Sequence, residues 1–146
     1  MRIRDIMSAD IQASPATQTI RDAACIMAKR DIGMVPVKLE DDLIGVVTDR
    51  DIAIRAVAKG VSPDAAVDTV MTSGVISCGD DEQVDHVAAK MADCKIRRLP
   101  VVDRHGAYVG IVSLGDIATA KGPDTAGEAL EELSLSGGKH LRDQAE

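Results

Sequence analysis

Two pairs of residues carry the chemistry that this sequence offers. Thr48 and Asp51 stand where a β-branched run, Gly45-Val46-Val47, meets a helix-patterned stretch, residues 52–59, that stops at Gly60. Ser113 and Asp116 repeat the arrangement in Gly110-Ile111-Val112-Ser113-Leu114-Gly115-Asp116-Ile117. A strand that runs into a helix leaves backbone N–H groups without intrahelical partners, and these donors, with the helix dipole, attract anions. The hydroxyl adds a donor, and the carboxylate can hold vicinal hydroxyls. A phosphate and a ribose together match that set. The same [Ser/Thr]-x-x-Asp spacing is also the capping box, which satisfies helix N-terminal donors and stabilises a helix by about 1 kcal/mol. Both readings stay open for each copy, and two copies in equivalent places add weight to a shared site.

No other constellation competes. The chain has no Gly-rich P-loop, no HExxH and no nucleophile elbow. No pair of carboxylates has an identifiable acid/base role, so the expectation is a protein that is not an enzyme. Cys25, Cys78 and Cys94 are odd in number and lack CxxC spacing, which argues against a disulfide framework. Cys25 and Cys94 fall in helical patterns and are expected to be small core or half-buried residues. A metal site joining Cys94 to His86 lacks clustered ligand spacing, so no metal is expected. His105, in a turn, and His140, in the tail, are expected at the surface.

The elements that must position the two pairs come as an internal repeat. Residues 7–37 align with 71–101, and residues 45–53 with 110–118 after one insertion in the intervening turn. The identities include Met7/Met71, Met27/Met91, Pro36/Pro100, Gly45/Gly110, Asp51/Asp116 and Ile52/Ile117. In the first unit, residues 11–13 read as a weak strand, and Thr19-x-x-Asp22 caps a helix whose apolar positions are Ile20, Ala23, Ala24, Met27 and Ala28. Residues 34–39 form a strand with Pro36 at an edge or irregular position. Residues 40–42 turn, residues 43–47 pair back, and a helix covers about 49–59. In the second unit, residues 75–77 are the first strand, and Val84, Val87, Ala88, Met91 and Ala92 repeat the helical template. Residues 98–102 and 108–112 are strands joined by the turn Asp103-Arg104-His105-Gly106, and a short helix starts at about Asp116.

The fold class that follows is α/β (α+β), with two pseudo-symmetric β-α-β-β-α units. Residues 1–60 are the first, residues 61–121 the second, and residues 122–146 an acidic, flexible C-terminal tail. Leu130, Leu133 and Leu135 in the tail offer a docking stripe for a partner as the alternative to fraying.

Composition narrows the function classes. The net charge is −7 and Tyr108 is the only aromatic residue. Aromatic base-stacking and a basic face are therefore missing, and no nucleic-acid partner is expected. No run approaches a membrane span, and residues 1–5 lack a secretory h-region, so the expected location is cytoplasmic with no membrane partner.

Asp31-Ile32-Gly33-Met34-Val35-Pro36-Val37 followed by Gly45-Val46-Val47-Thr48-Asp49-Arg50-Asp51-Ile52 resembles a CBS motif. Ile96-Arg97-Arg98-Leu99-Pro100-Val101-Val102-Asp103 followed by the Gly110–Ile117 stretch resembles a second. Together they resemble a tandem CBS pair, or Bateman module, of the small stand-alone bacterial type. The resemblance implies two units packed sheet to sheet, with clefts between them for an adenosine-containing ligand. It implies that Asp51 and Asp116 hold ribose hydroxyls and that Thr48 and Ser113 contact phosphate. Backbone near Pro36, Val37, Pro100 and Val101 would frame the adenine. No cofactor is required; the regulatory ligand would be AMP, ATP or a related adenosyl compound such as S-adenosylmethionine. Homodimerisation and an unidentified protein partner complete the expectation, with Ile20, Ala24 and Met27 and their repeats Val84, Ala88 and Met91 as the pairing face. Arg50, absent from the second motif, suggests that the Thr48–Asp51 site prefers phosphorylated ligands; the alternative for Arg50 is a solvated helix face. Arg97 and Arg98 are the candidates to compensate at the second motif, open to either cleft and sent to opposite faces by alternation if their segment is extended. The competing function is a stress or protein-interaction protein that needs no ligand.

Overall fold

Thr19 opens the first long helix as its spacing predicts. The Asp22 N–H donates to Thr19 Oγ1 at 3.0 Å, and the Thr19 N–H donates to Asp22 Oδ2 at 3.3 Å. Helix α1, Ile20–Arg30, then buries Ile20, Ala23 and Met27 and ends at Asp31 in the left-handed conformation. Around it lie a short strand β1 (Ser14–Pro15), then β2 (Met34–Leu39) and β3 (Asp42–Thr48). Helix α2 begins at Asp49–Asp51 and continues through Ile52–Val57 with the wider π spacing. Strand β4 (Thr72–Ser73) completes a sheet of order β1-β2-β3-β4. The second set is β5 (Cys78–Gly79), α3 (Val84–Cys94), β6 (Arg98–Val102), β7 (Tyr108–Ser113) and α4 (Leu114–Lys121), with a sheet of order β5-β6-β7. This computed structural model describes residues 1–122 with Asp124, Gly127, Glu128, Leu130 and Glu131. Leu133, Leu135 and His140, named above, lie outside the described residues.

Several expectations shift by a few residues. The first strands fall at Ser14–Pro15 and Cys78–Gly79 rather than at 11–13 and 75–77. A two-residue strand is specified by its partner, here Val37 and Lys38 for β1 and Val101 and Val102 for β5, more than by its own pattern. Pro36 sits in an interior strand. Strand β1 pairs only beyond it, at Val37 and Lys38, so no ladder bond is lost where the proline lacks its N–H.

The chain forms two compact units that do not follow sequence order. One holds residues 10–76 with 106–108; the other holds residues 1–9, 77–105 and the described residues from 109 on. Each unit's strand-to-helix element is therefore flanked by a segment from the start of the other repeat. In the first unit β4 lies antiparallel to β3, pairing Gly45 with Ser73 and Val46 with Thr72. In the second, Ser8 of the N-terminal arm bridges Ile111. A Cβ on Gly45 would stand 2.7 Å from Met71 Sδ and 2.8 Å from the Thr72 carbonyl oxygen. One on Gly110 would stand 2.7 Å from the Ser8 carbonyl oxygen and 3.1 Å from Met7 Sδ. The repeated Met/Gly identities thus record one close approach made twice.

Each unit has its own core. Ile20, Ala23, Met27, Val35, Val37, Val47, Ala56, Val67 and Val70 form one; Ile3, Val84, Val87, Met91, Leu99, Val101, Val112 and Ile117 are in the other. The pairing face drawn from the helical pattern is corrected here. Ile20, Met27, Val84, Ala88 and Met91 are buried inside their own units, and Ala24 is half-buried. An amphipathic stripe only says that something covers it, and the covering surface is the unit's own sheet. The cysteines are also corrected: Cys25 and Cys94 are exposed, whereas Cys78 is buried. Burial, with the Glu82 charge nearby, pushes the Cys78 thiol up to about 12.

Two polar anchors stand out. The Tyr108 hydroxyl donates to the Ile11 carbonyl at 2.6 Å, and burial together with the Asp10 charge pushes its pKa to about 12. Glu82 accepts from the Gly79 N–H and from Lys90 Nζ, and lies 2.9 Å from His86 Nδ1. Burial opposes the Glu82 charge, but the Gly79 N–H and the Lys90 ammonium more than offset it and lower its pKa.

Candidate functional site

Both [Ser/Thr]-x-x-Asp pairs form full capping boxes. The Asp51 N–H donates to Thr48 Oγ1 at 3.0 Å, and the Thr48 N–H to Asp51 Oδ2 at 3.0 Å. The Asp116 N–H donates to Ser113 Oγ at 3.0 Å, and the Ser113 N–H to Asp116 Oδ2 at 2.8 Å. In both, the first helical residue ties back to the preceding strand's approach: the Asp49 N–H to the Gly33 carbonyl at 3.1 Å, and the Leu114 N–H to the Arg97 carbonyl at 2.8 Å. The two motifs share this backbone, and their side chains then diverge.

At the first motif the Asp51 carboxylate is heavily engaged. Thr72 Oγ1 lies 3.4 and 3.3 Å from its two oxygens, and Arg55 Nε lies 3.8 Å from Oδ1. Arg55 Nη1 also donates to the carbonyls of Val70 at 3.2 Å and Met71 at 3.0 Å. The Asp51 side chain is 12% exposed. Asp51 and Arg55 together fasten β4 to the start of α2. Beside them Asp49 Oδ2 stands 3.1 Å from where a Cβ on Gly33 would be, and Asp49 Oδ1 accepts the Arg50 N–H at 2.8 Å. A carboxylate therefore occupies the place next to the helix start.

The second motif carries other residues at those places. The same register aligns Leu114 with Asp49, Arg97 with Gly33, Ala120 with Arg55 and Ser8 with Thr72. A cavity of about 490 Å³ opens there. Arg97, Arg98 and Ser113 supply its polar lining, while Leu114, Gly115, Ala118, Gly127 and Leu130 supply the rest. Two arginines and a helix start lining a largely apolar cavity can hold an anionic group on a flat apolar body.

The structure thus brings Arg97, Arg98 and Ser113 to one cavity and places Asp116 at its helix start. It sets Thr48, Asp51 and the exposed Arg50 around a second, differently built helix start. Pro36, Val37, Pro100 and Val101 are buried in β2 and β6, so only their backbone can face a ligand. Sequence reasoning missed Arg55 and Thr72, whose meeting with Asp51 depends on β4 pairing with β3. It also missed Ala118, Gly127 and Leu130. The Asp49-to-Leu114 difference was visible along the chain, but its consequence needed Gly33 and Arg97 in place.

Comparison with known proteins places this geometry. The model of the CBS domain matches residues 3–57 and again 67–122. The chain is similar to the CBS domain-containing protein YhcV of Bacillus subtilis, 36% identical over 133 residues, which is 90% of this chain and 94% of that protein. Its fold is similar to the CBS domain pair of protein MJ0100, solved in complex with 5'-methylthioadenosine and S-adenosyl-L-methionine; the TM-score is 0.72, the identity 35%, and the match covers 84% of this chain and 96% of that one. It is also similar to the CBS domain protein PAE2072 from Pyrobaculum aerophilum, complexed with AMP, with a TM-score of 0.71, 30% identity, and 80% and 89% of the two chains covered. Two CBS domains in tandem, each ending in a capped strand-to-helix element, account for the repeat, and the chain belongs to the CBS domain family.

Proposed function

We propose that this chain is a regulatory module that binds an adenosine-containing ligand, such as AMP, ATP or a related adenosyl compound, at its second motif and passes the ligand state to a protein partner. The observation that carries the reading is the cavity lined by Arg97, Arg98 and Ser113 together with Leu114 and Ala118. The ligands seen with the CBS pairs of MJ0100 and PAE2072 have the matching chemistry, an adenosyl group with or without a phosphate. In this reading Arg97 and Arg98 take the anionic group, Ser113 and the start of α4 assist, and Asp116 holds the ribose.

The reading reverses the preference suggested by Arg50. At the first motif the Asp49 carboxylate stands where an anion would enter, and Asp51 is committed to Thr48, Thr72 and Arg55. Thr48 and Asp51 then serve, with Arg55, mainly to hold β4.

A binding module, not an enzyme, fits the site. Among the described residues no group of three or more His, Cys, Asp or Glu side chains could hold a metal. No helix of the described residues is long and apolar enough to cross a membrane. A cytoplasmic location, where adenine nucleotides are made, follows from the ligand class. Homodimerisation also belongs to the proposal, with the exposed Ile54 and Val57 on the outer side of α2 as the pairing residues.

Native mass spectrometry of protein purified from its host tests the ligand. An adduct with the mass of an adenosyl compound, lost in Arg97→Ala/Arg98→Ala, is the expected result. Ligand-free protein that also fails to take up added AMP, ATP or S-adenosylmethionine would sink the proposal and favour a ligand-independent interaction protein.

A further inference from the structure

Leu130 is an apolar side chain beyond the end of α4, 43% exposed, and it lines the same cavity as Arg97 and Arg98. Gly127, on the preceding helical turn, lines it too. Residues three apart in a helical stretch share a face, so the glycine leaves room beside the leucine. Arg97 and Arg98 are the cationic part of the cavity's lining, and Leu130 joins Leu114 and Ala118 as an apolar part. A half-exposed leucine gains from any flat apolar group laid against it, in proportion to the area that contact removes from water.

We propose that Leu130 is a specificity-determining residue of the second-motif pocket: it recognises the apolar ring of the ligand, independently of the arginines that take its anionic group. The proposal rests on the adenosyl reading of that pocket. It assigns base recognition to a residue outside the CBS motif itself, which ends at Gly122.

Three probes against wild type, Leu130→Ala and Arg97→Ala/Arg98→Ala form the test. AMP has both ring and anion, ribose 5-phosphate has the anion without the ring, and 1-anilinonaphthalene-8-sulfonate has an apolar ring and an anion but no nucleoside. Leu130→Ala should weaken AMP and the dye by about five- to tenfold and leave ribose 5-phosphate unchanged. The double arginine variant should weaken all three. Binding of the dye with this Leu130 dependence, but no binding of AMP, would uphold the role of Leu130 and defeat the adenosyl reading. AMP or dye affinity unaffected by Leu130→Ala, equal loss of AMP and ribose 5-phosphate, or no binding of any probe would overturn the proposal. Because Leu130 is exposed, the alanine variant should fold, and an unchanged melting curve verifies that.

Discussion

Asp51 and Asp116 have the same neighbours along the chain and different neighbours in space. Both cap a helix, which the spacing made legible. What the spacing could not reveal is that Thr72 and Arg55 claim Asp51, since those contacts depend on where β4 comes to lie. Asp51→Asn should therefore lower stability by about 1–2 kcal/mol and leave AMP affinity unchanged. Asp116→Asn should weaken an adenosyl ligand by about 1–3 kcal/mol, as a charge-assisted bond to the ribose is lost. Melting curves and titrations on both variants separate these outcomes. Tyr108 offers an independent probe, being the only aromatic residue. Its folded pKa of about 12 lies above the ordinary 10.0, so the neutral phenol is favoured in the fold. The stability it contributes is complete below pH 10 and is lost as the pH rises through about 12. Absorbance near 295 nm should show the phenolate forming at the higher value in folded protein and at the ordinary value in denaturant. Glu82 works in the opposite sense. Its pKa is lowered, so its stabilisation is complete above the ordinary carboxylate value of 4.5 and is lost as the pH falls through its folded value. Glu82→Gln should flatten the acid limb of a stability-versus-pH curve.

At the scale of elements, the long, strongly patterned pieces were the legible ones. Strands β2 and β6 fall on residues 34–39 and 98–102 as expected, and α1 starts at the Thr19 cap. The two-residue strands were missed because their existence depends on a partner elsewhere in the chain. The apolar stripes of α1 and α3 were found, but their partner was misjudged: periodicity shows that a face is covered, not by what. The exposed cysteines follow the same limit, since Cys25 and Cys94 sit just off the buried stripe. Repeat identities proved informative in a way that depends on packing. Met7 with Gly110, and Met71 with Gly45, are one contact in two copies. Gly45→Ala and Gly110→Ala each place a methyl group within 3 Å of a backbone oxygen that cannot easily move. Each should destabilise by about 1–3 kcal/mol in chemical denaturation. A neutral effect at either position would mean that the crossing segment is not held as described.

For the whole molecule, the tandem repeat and the family were readable from the sequence, while the difference between its two halves was only half readable. Arg50 drew attention to the first motif because it adds a positive charge; in the proposed reading the neighbouring Asp49 carboxylate, beside Gly33, offsets it at the helix start. Arg97, just before β6, and Arg98, its first residue, line the cavity at the second motif. Assembly is a separate question at this scale. Val57, 74% exposed, and Ile54, 44% exposed, are the large apolar side chains that α2 turns to solvent. If they pair two copies, light scattering should give twice the chain mass at micromolar concentration, and Val57→Glu should give the monomer. A monomeric wild type would remove the dimer from the account without touching the ligand site. The account's central claim, one adenosyl site at the second motif, is tested most directly by calorimetric titration of AMP into wild type, Arg50→Ala and Arg97→Ala/Arg98→Ala. One site per chain is expected, with Arg50→Ala close to wild type. The double variant should lose about 1.5–3 kcal/mol or more, roughly ten- to hundredfold in affinity. Two equivalent sites per chain, or a loss on Arg50→Ala with none on the double variant, would contradict it.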